Sequence, residues 1–330
     1  DQVNSLSNYS FLKQHLAGKL SSVFPPTTTA AVTTFLTGVA PQNHGLVAWY
    51  MKMKEFNNQT IAILPYYNRI KEPLSKRIKL EMPKSIFQSI KAKSHLILKK
   101  SLFKSKYNTH FGKKAQKWKV NNFRSLTSSI KKICLTNLKE NSKKQYLFAY
   151  WGEFDEFSHH YGKNNPKSKK LLTEINNRIE HLVKTLNDSN TLLLITADHG
   201  QIITTKQKTI LLNKHPKLME CLSSNICGEP RAAFCYVHPR KRQQFEQYVK
   251  HHLRDCCTLY HAQELVQQHY FGQFQEHPQF RERIGDYILI AKDNYIMKEF
   301  LPEEEQKMHI GNHGGISEEE MHIPLIMIKC

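Results

Sequence analysis

Short apolar runs separated by polar, amphipathic stretches set the organisation of this chain. Gly18–Phe24, Thr60–Pro65, Tyr146–Trp151, Thr191–Ile195, Gly228–Val237, Tyr287–Ile290 and Ile323–Ile328 are strand-sized and rich in branched or aromatic residues, which predicts β-strands buried on at least one face. Between two of them, Leu171, Leu172, Ile175, Ile179, Leu182 and Val183 recur at three- and four-residue spacing. That period predicts a helix from Pro166 to about Leu186 with one face on a sheet. Strand, helix and strand in this order predict a βαβ unit with a parallel pair and a right-handed crossover. Helices are also expected at Thr27–Gly38, Phe123–Leu138, Gln243–Leu253 and Ala262–Tyr270, and Pro324 suits the start of an edge strand.

The ends of these strands carry the chemistry. In open parallel sheets ligands bind beyond the carboxyl ends of the strands. Thr196-Ala197-Asp198-His199-Gly200 closes one apolar run, so a carboxylate and an imidazole stand together where a hard-to-borderline cation could be held. Asp-His-Gly is also ordinary turn chemistry. Asp155 and His159 follow a second run four residues apart, and one helical turn would aim both at one point. Gly311-Asn312-His313-Gly314-Gly315 adds a third histidine in a glycine-rich loop.

Three threonines, Thr27, Thr28 and Thr29, open the Thr27–Gly38 helix after two prolines. One hydroxyl there is a natural N-cap. The same position also suits a nucleophile, because free N–H groups and the positive helix end favour an alkoxide and the charge that develops on a phosphoryl oxygen.

Composition narrows the class. The chain has 330 residues, enough for one large domain or a domain with an insertion. No apolar run approaches the roughly 18 to 20 residues of a membrane-spanning helix. A formal charge of +20 suggests an anionic partner, a phosphorylated small molecule ahead of nucleic acid, although the first reading of so many lysines is a solvated face. Lysines crowd the stretch from Lys71 to Lys119, within a basic region at about 66–140 read as an insertion or cap. Cys134, Cys221, Cys227, Cys235, Cys256, Cys257 and Cys330 are odd in number and lack paired CxxC spacing. Free thiols and a reducing, cytoplasmic compartment are the expectation, with any export signal lying upstream.

Taken together, Phe24-Pro25-Pro26-Thr27-Thr28, Thr37-Gly38 followed by Pro41 and His44-Gly45, Asp155 with His159 before Gly162, Thr196–Gly200, and His313-Gly314-Gly315 resemble the type I phosphodiesterase / nucleotide pyrophosphatase branch of the alkaline phosphatase superfamily. The resemblance spans nearly the whole chain. It implies an α/β fold: a three-layer α/β/α sandwich with a mostly parallel central sheet and an inserted cap, residues 1–330 forming a single catalytic domain. It implies two neighbouring divalent ions, usually Zn2+, with Mn2+ also compatible with mixed nitrogen and oxygen ligands. By position Thr28 matches the nucleophile. Asp155, His159 and His313 would hold one ion; Asp198 and His199, with the Thr28 oxygen and one more aspartate, would hold the other. That aspartate belongs to an Asp-Gly pair closing the family's first strand. Asp1 is the sole acidic residue ahead of Thr28 and no glycine follows it, so the pair and its strand are expected upstream of residue 1. Trp49 stands where nucleotide-hydrolysing members place a phosphoryl-binding asparagine, and its indole N–H offers one donor to substrate.

The expected activity is hydrolysis of phosphate esters, diesters or pyrophosphates ahead of monoesters. A sulfatase is disfavoured because Thr28 cannot supply that branch's aldehyde. A basic binding protein on an inactive hydrolase scaffold is the alternative from another class. Glu229 and Arg231 are expected to form a structural ion pair or to touch an anionic substrate, and His44 to fix a loop.

Overall fold

The computed structural model describes residues 2–8, 10–74, 81–139 and 144–330, with side chains to residue 136 in the third of these segments. Asp1, and residues 75–80 and 140 of the basic region, lie outside them. The chain divides into two compact units, Asp1–Leu20 with Lys84–Ala197 and Ile323–Cys330, and Ser21–Pro83 with Asp198–His322.

The first unit contains a three-stranded sheet in which Lys93–Lys99 lies between Ala115–Val120 and Gln145–Ala149, all parallel. Leu96, Ile97 and Leu98 are all buried, the mark of a strand covered on both faces. Phe123–Lys139 forms the expected helix and sets Leu126, Ile130 and Ile133 against Ile97 and Val120. A second sheet places His322–Lys329 between Leu16–Ser21 and Leu192–Ile195, antiparallel to the latter with Ile326 opposite Ile195. The Pro166–Thr185 helix starts at Asn165, whose side chain accepts from the Lys167 amide at 2.9 Å. It buries Leu182 with the first sheet's core and Ile179 with the second's.

Two expectations fail here. Gln145–Ala149 and Leu192–Ile195 share no ladder among the described residues. The former pairs with Lys93–Lys99 and the latter with the C-terminal strand, because apolar periodicity identifies strands without selecting their neighbours. Nor is the C-terminal strand an edge. It tolerates Pro324 because its ladder to Leu192–Ile195 begins only at Ile326, so the missing N–H falls before that pairing.

The second unit is built on a seven-stranded sheet in the order Cys257–His261, Tyr287–Ala291, Ala232–Cys235, Cys227–Glu229, Tyr50–Met53, Gln59–Ala62 and Tyr67–Asn68, antiparallel throughout. Phe245, Val249 and Leu253, from the Arg242–His252 helix and its C-cap, pack with Ala233, Cys235, Tyr287 and Leu289. The run Gly228–Val237 is a hairpin, not one strand, since the chain reverses at Pro230-Arg231 to pair Glu229 with Ala232. The expected Ala262–Tyr270 helix ends at Gln267. All seven cysteines are free, and Cys221, Cys227, Cys235 and Cys257 are buried. No helix among the described residues is long and apolar enough to cross a membrane.

Candidate functional site

The Thr28–Thr37 helix begins at Thr27, whose extended backbone makes it the N-cap residue, and ends at Gly38 in the left-handed conformation. Thr29, Ala30, Ala31, Val32, Thr33 and Leu36 are buried, so the apolar face fixes the helix and leaves Thr28 at its first turn. The Thr27 side chain makes no capping bond. Thr28 Oγ1 lies 3.2 Å from His199 Nε2.

The His199 imidazole is held from its other side. Nδ1 lies 2.9 Å from the Gly200 carbonyl, and a carbonyl can only accept. Nδ1 therefore carries the proton and Nε2 presents a lone pair. His313 repeats the arrangement with Nδ1 2.9 Å from the Pro26 carbonyl. The two rings stack with centroids 3.8 Å apart, which is favourable for neutral imidazoles and repulsive for two imidazolium ions.

Asp198 completes the cluster within this unit. Its Oδ1 accepts from the His199 amide at 3.2 Å, while Oδ2 is buried without a hydrogen-bond donor among the described residues, 3.7 Å from His199 Nε2. A buried carboxylate oxygen left without a donor costs about 1–3 kcal/mol or more. A cation repays that cost. Carboxylate oxygen, imidazole nitrogen and hydroxyl oxygen form a donor set suited to Zn2+ or Mn2+, so Asp198, His199 and Thr28 fit a divalent ion.

Backbone packing keeps these groups in place. A Cβ on Gly200 would lie 2.0 Å from the Glu319 carbonyl oxygen, and the Gly200 amide donates to Glu320 O at 2.8 Å. The loop after His313 is anchored by buried Glu320, which accepts from Gly315 N at 2.7 Å and Ser317 Oγ at 2.6 Å. Arg231 donates to the same carboxylate through Nε and Nη2, each at 2.9 Å. This corrects the expected Glu229–Arg231 pair. Arg231 takes Glu320, and Glu229 instead accepts the Trp49 amide at 2.6 Å. Burial raises the Glu229 carboxyl above the usual carboxylate range, and donors around it, the Trp49 amide among them, oppose the shift. Trp49 itself is half-buried. Sequence reasoning missed Glu320, which sits among Glu318 and Glu319 with nothing in the pattern to single it out.

His44 behaves as a loop-fixing residue. Its Nδ1 accepts from Leu46 N at 3.1 Å and its Nε2 lies 3.1 Å from Thr34 Oγ1.

In the other unit, Asp155 and His159 lie on the Glu153–Tyr161 helix. Their spacing brings His159 Nε2 to 3.4 Å from Asp155 Oδ2, both partly buried. Neighbouring His160 is exposed, with Nδ1 on the Glu156 carbonyl. The predicted residues thus fall in two groups: Asp155 with His159 in one unit, and Thr28, Asp198, His199 and His313, with Trp49 nearby in sequence to His44, in the other.

Comparison with solved structures defines the fold class. Murine ectonucleotide pyrophosphatase / phosphodiesterase 5 superimposes with a TM-score of 0.67 at 18% identity, over 93% of this chain and 78% of that one. Its inactive threonine-to-alanine variant in complex with AMP gives 0.65 at 17%, over 93% and 78%. Phosphonoacetate hydrolase from Sinorhizobium meliloti 1021, in complex with phosphonoformate, gives 0.66 at 15%, over 96% and 82%. The fold is therefore alkaline-phosphatase-like α/β. The family model for type I phosphodiesterase / nucleotide pyrophosphatase matches residues 9–316, and the chain belongs to that family. Human ectonucleotide pyrophosphatase/phosphodiesterase family member 5 is 24% identical over 169 residues, half of this chain and 32% of that protein, so the matched segment spans about a third of this relative.

Proposed function

We propose that the chain is a metal-dependent hydrolase of phosphate esters, acting on phosphodiesters or pyrophosphates through Thr28. The observation that carries this reading is the Thr28 hydroxyl 3.2 Å from His199 Nε2, in a cluster where Asp198 Oδ2 is buried without a donor among the described residues. The murine relative's inactive threonine-to-alanine variant, which binds AMP, supports a threonine nucleophile and a phosphorylated small-molecule substrate.

In this reading Asp198, His199 and Thr28 hold one ion, and Asp155, His159 and His313 hold a second. Mixed nitrogen and oxygen ligands without thiolate suit Zn2+, with Mn2+ as the alternative. Bound divalent ions supply Lewis-acid chemistry, lowering the pKa of a coordinated hydroxyl and stabilising charge on phosphoryl oxygens. Thr28 Oγ1 attacks phosphorus in line, a new O–P bond forms, the bond to the leaving alcohol or phosphate breaks, and the proton given up by the Thr28 hydroxyl is balanced by one taken up at the leaving oxygen. Water then cleaves the Thr28–phosphoryl bond and restores the hydroxyl. The carbonyls of Gly200 and Pro26 keep Nδ1 of His199 and His313 protonated, so both Nε2 atoms remain donors to a cation. Glu229 fixes the Trp49 backbone, and the indole N–H contributes one donor to the substrate. The reading treats the two units as one catalytic domain, supported by a family match that runs through both.

Hydrolysis of bis-p-nitrophenyl phosphate and p-nitrophenyl phosphate, with and without chelator, tests it. The diester should turn over faster than the monoester, chelator should abolish both rates, and Thr28→Ala should lower them at least about 100-fold, the scale lost with one strong transition-state contact. Faster monoester turnover would make this a phosphomonoesterase. Unchanged rates in Thr28→Ala or with chelator would remove the mechanism.

A further inference from the structure

The chain's positive charge is not shared evenly. The unit containing Lys84–Ala197 carries 26 Lys and Arg against 8 Asp and Glu, whereas the other carries 22 against 20. Lysine-rich codon usage would raise both alike. The imbalance peaks between Lys84 and Lys139, where 14 lysines and one arginine occur without a single Asp or Glu.

The fold gathers this segment into one block. Ala115–Val120 is the outer strand of its sheet, beside Lys93–Lys99, and the Phe123–Lys139 helix packs on both through Leu126, Ile130 and Ile133. Lys104, Lys113, Lys114, Lys119 and Lys131 are exposed. Lysines on an outer strand guard it against pairing with other strands, which would explain Lys119 but not the cations on the helix. There Asn122, Arg124, Ser125, Ser128, Ser129 and Lys132 share one open, shallow face over the first turns of the helix. Hydroxyl, amide and cationic groups line it, and no carboxylate does. These are the side chains that commonly contact phosphate and sugar.

We propose that residues 84–136 form a binding surface for nucleic acid, which it grips through the sugar-phosphate backbone without reading sequence. An open cationic face without carboxylates suits a flexible rod of regularly spaced negative charge laid along it. A bilayer would be better served by apolar side chains pointing outward, and the unit's most exposed ones, Leu192, Leu194 and Met327, lie on the other sheet. Arginine is the residue of choice for bidentate contacts to guanine. With one arginine among fourteen cations in residues 84–136, the block is built for attraction rather than base readout. The proposal stands apart from the hydrolase reading.

Fluorescence anisotropy tests it, using the full chain and a labelled single-stranded RNA of about 20 nucleotides, with chelator present so that metal-dependent cleavage cannot intervene. Binding should weaken steadily from about 50 to 200 mM salt, the log–log slope falling by roughly 0.7 for each phosphate contacted. The double variant Arg124→Ala/Lys132→Ala should bind at least about fivefold more weakly and with a slope shallower by about 1.4, the loss of two phosphate contacts. A triple variant on another helix, Lys167→Ala/Lys169→Ala/Lys170→Ala, should change affinity less than about twofold, a control for net charge. Unchanged melting temperatures would exclude misfolding as the cause. The proposal is overturned if RNA does not bind at the lowest salt, if the control loses as much as the Arg124/Lys132 variant, or if phosphatidylserine vesicles bind the protein and RNA does not.

Discussion

Burying a neutral histidine should make stability fall steeply below neutral pH. His44 is fully buried, and burial, reinforced by neighbouring His277 and Arg283, pushes its imidazole down to about 3. Its Nδ1 accepts the Leu46 amide proton, so protonation would set two donors against each other. In the unfolded chain the ring titrates near its ordinary 6.5. A histidine depressed in the folded state adds stability that is complete above its unfolded pKa and lost as pH falls toward the folded value. Between pH 7 and pH 5 only the unfolded ring takes up its proton, which costs the fold about 2 kcal/mol at ~1.4 kcal/mol per pH unit. Urea unfolding at the two pH values checks this, with His44→Gln as the reference lacking the titration. The parent protein should lose about 2 kcal/mol more than the variant. Equal losses would show that His44 is not held neutral, and the burial argument would fall with it.

Other predictions concern the supports of the site. Arg231→Met and Glu320→Gln should each cost about 3–5 kcal/mol in urea unfolding, because each strands a buried charge, whereas the double variant should recover at least ~2 kcal/mol of their sum. Additive losses would mean that the pair does not act as a unit. Gly200→Ala forces a methyl onto the Glu319 carbonyl oxygen. It should lower stability by about 1–3 kcal/mol and weaken metal binding, both measurable by calorimetry; full metal affinity would show that the strand end can shift without moving Asp198 and His199.

Much of the site was legible because its spacing follows from local geometry. Asp155 and His159 meet across one helical turn, and four residues is the interval that puts side chains on one face. Asp198 and His199 end a strand whose apolar run is unmistakable, and Thr28 starts a helix marked by Pro25, Pro26 and Gly38. The supports were hidden for the opposite reason. Arg231 and Glu320 are 89 residues apart and meet only through tertiary packing. Glu229 and Trp49 are joined across 180 residues, so adjacency in Gly-Glu-Pro-Arg suggested the wrong partner. Strand pairing was hidden likewise: Lys93–Lys99 has two parallel neighbours and buries Leu96, Ile97 and Leu98, but a short apolar run reads the same in a buried helix segment. Gln59–Ala62 overlaps the expected strand at Thr60–Pro65, but its local partner Tyr50–Met53 is too short for its alternation to stand out.

The central claim is that Thr28 becomes covalently bonded to phosphorus during turnover. Rapid acid quenching of the metal-loaded protein with a phosphodiester, followed by peptide mass spectrometry, reads this directly. The account predicts one added alkylphosphoryl or arylphosphoryl group on the peptide containing Thr28, its phosphorus still bearing the alcohol that did not leave, absent in Thr28→Ala and absent after chelation. Sustained hydrolysis with Thr28 unmodified, or with the label on another residue, would contradict it.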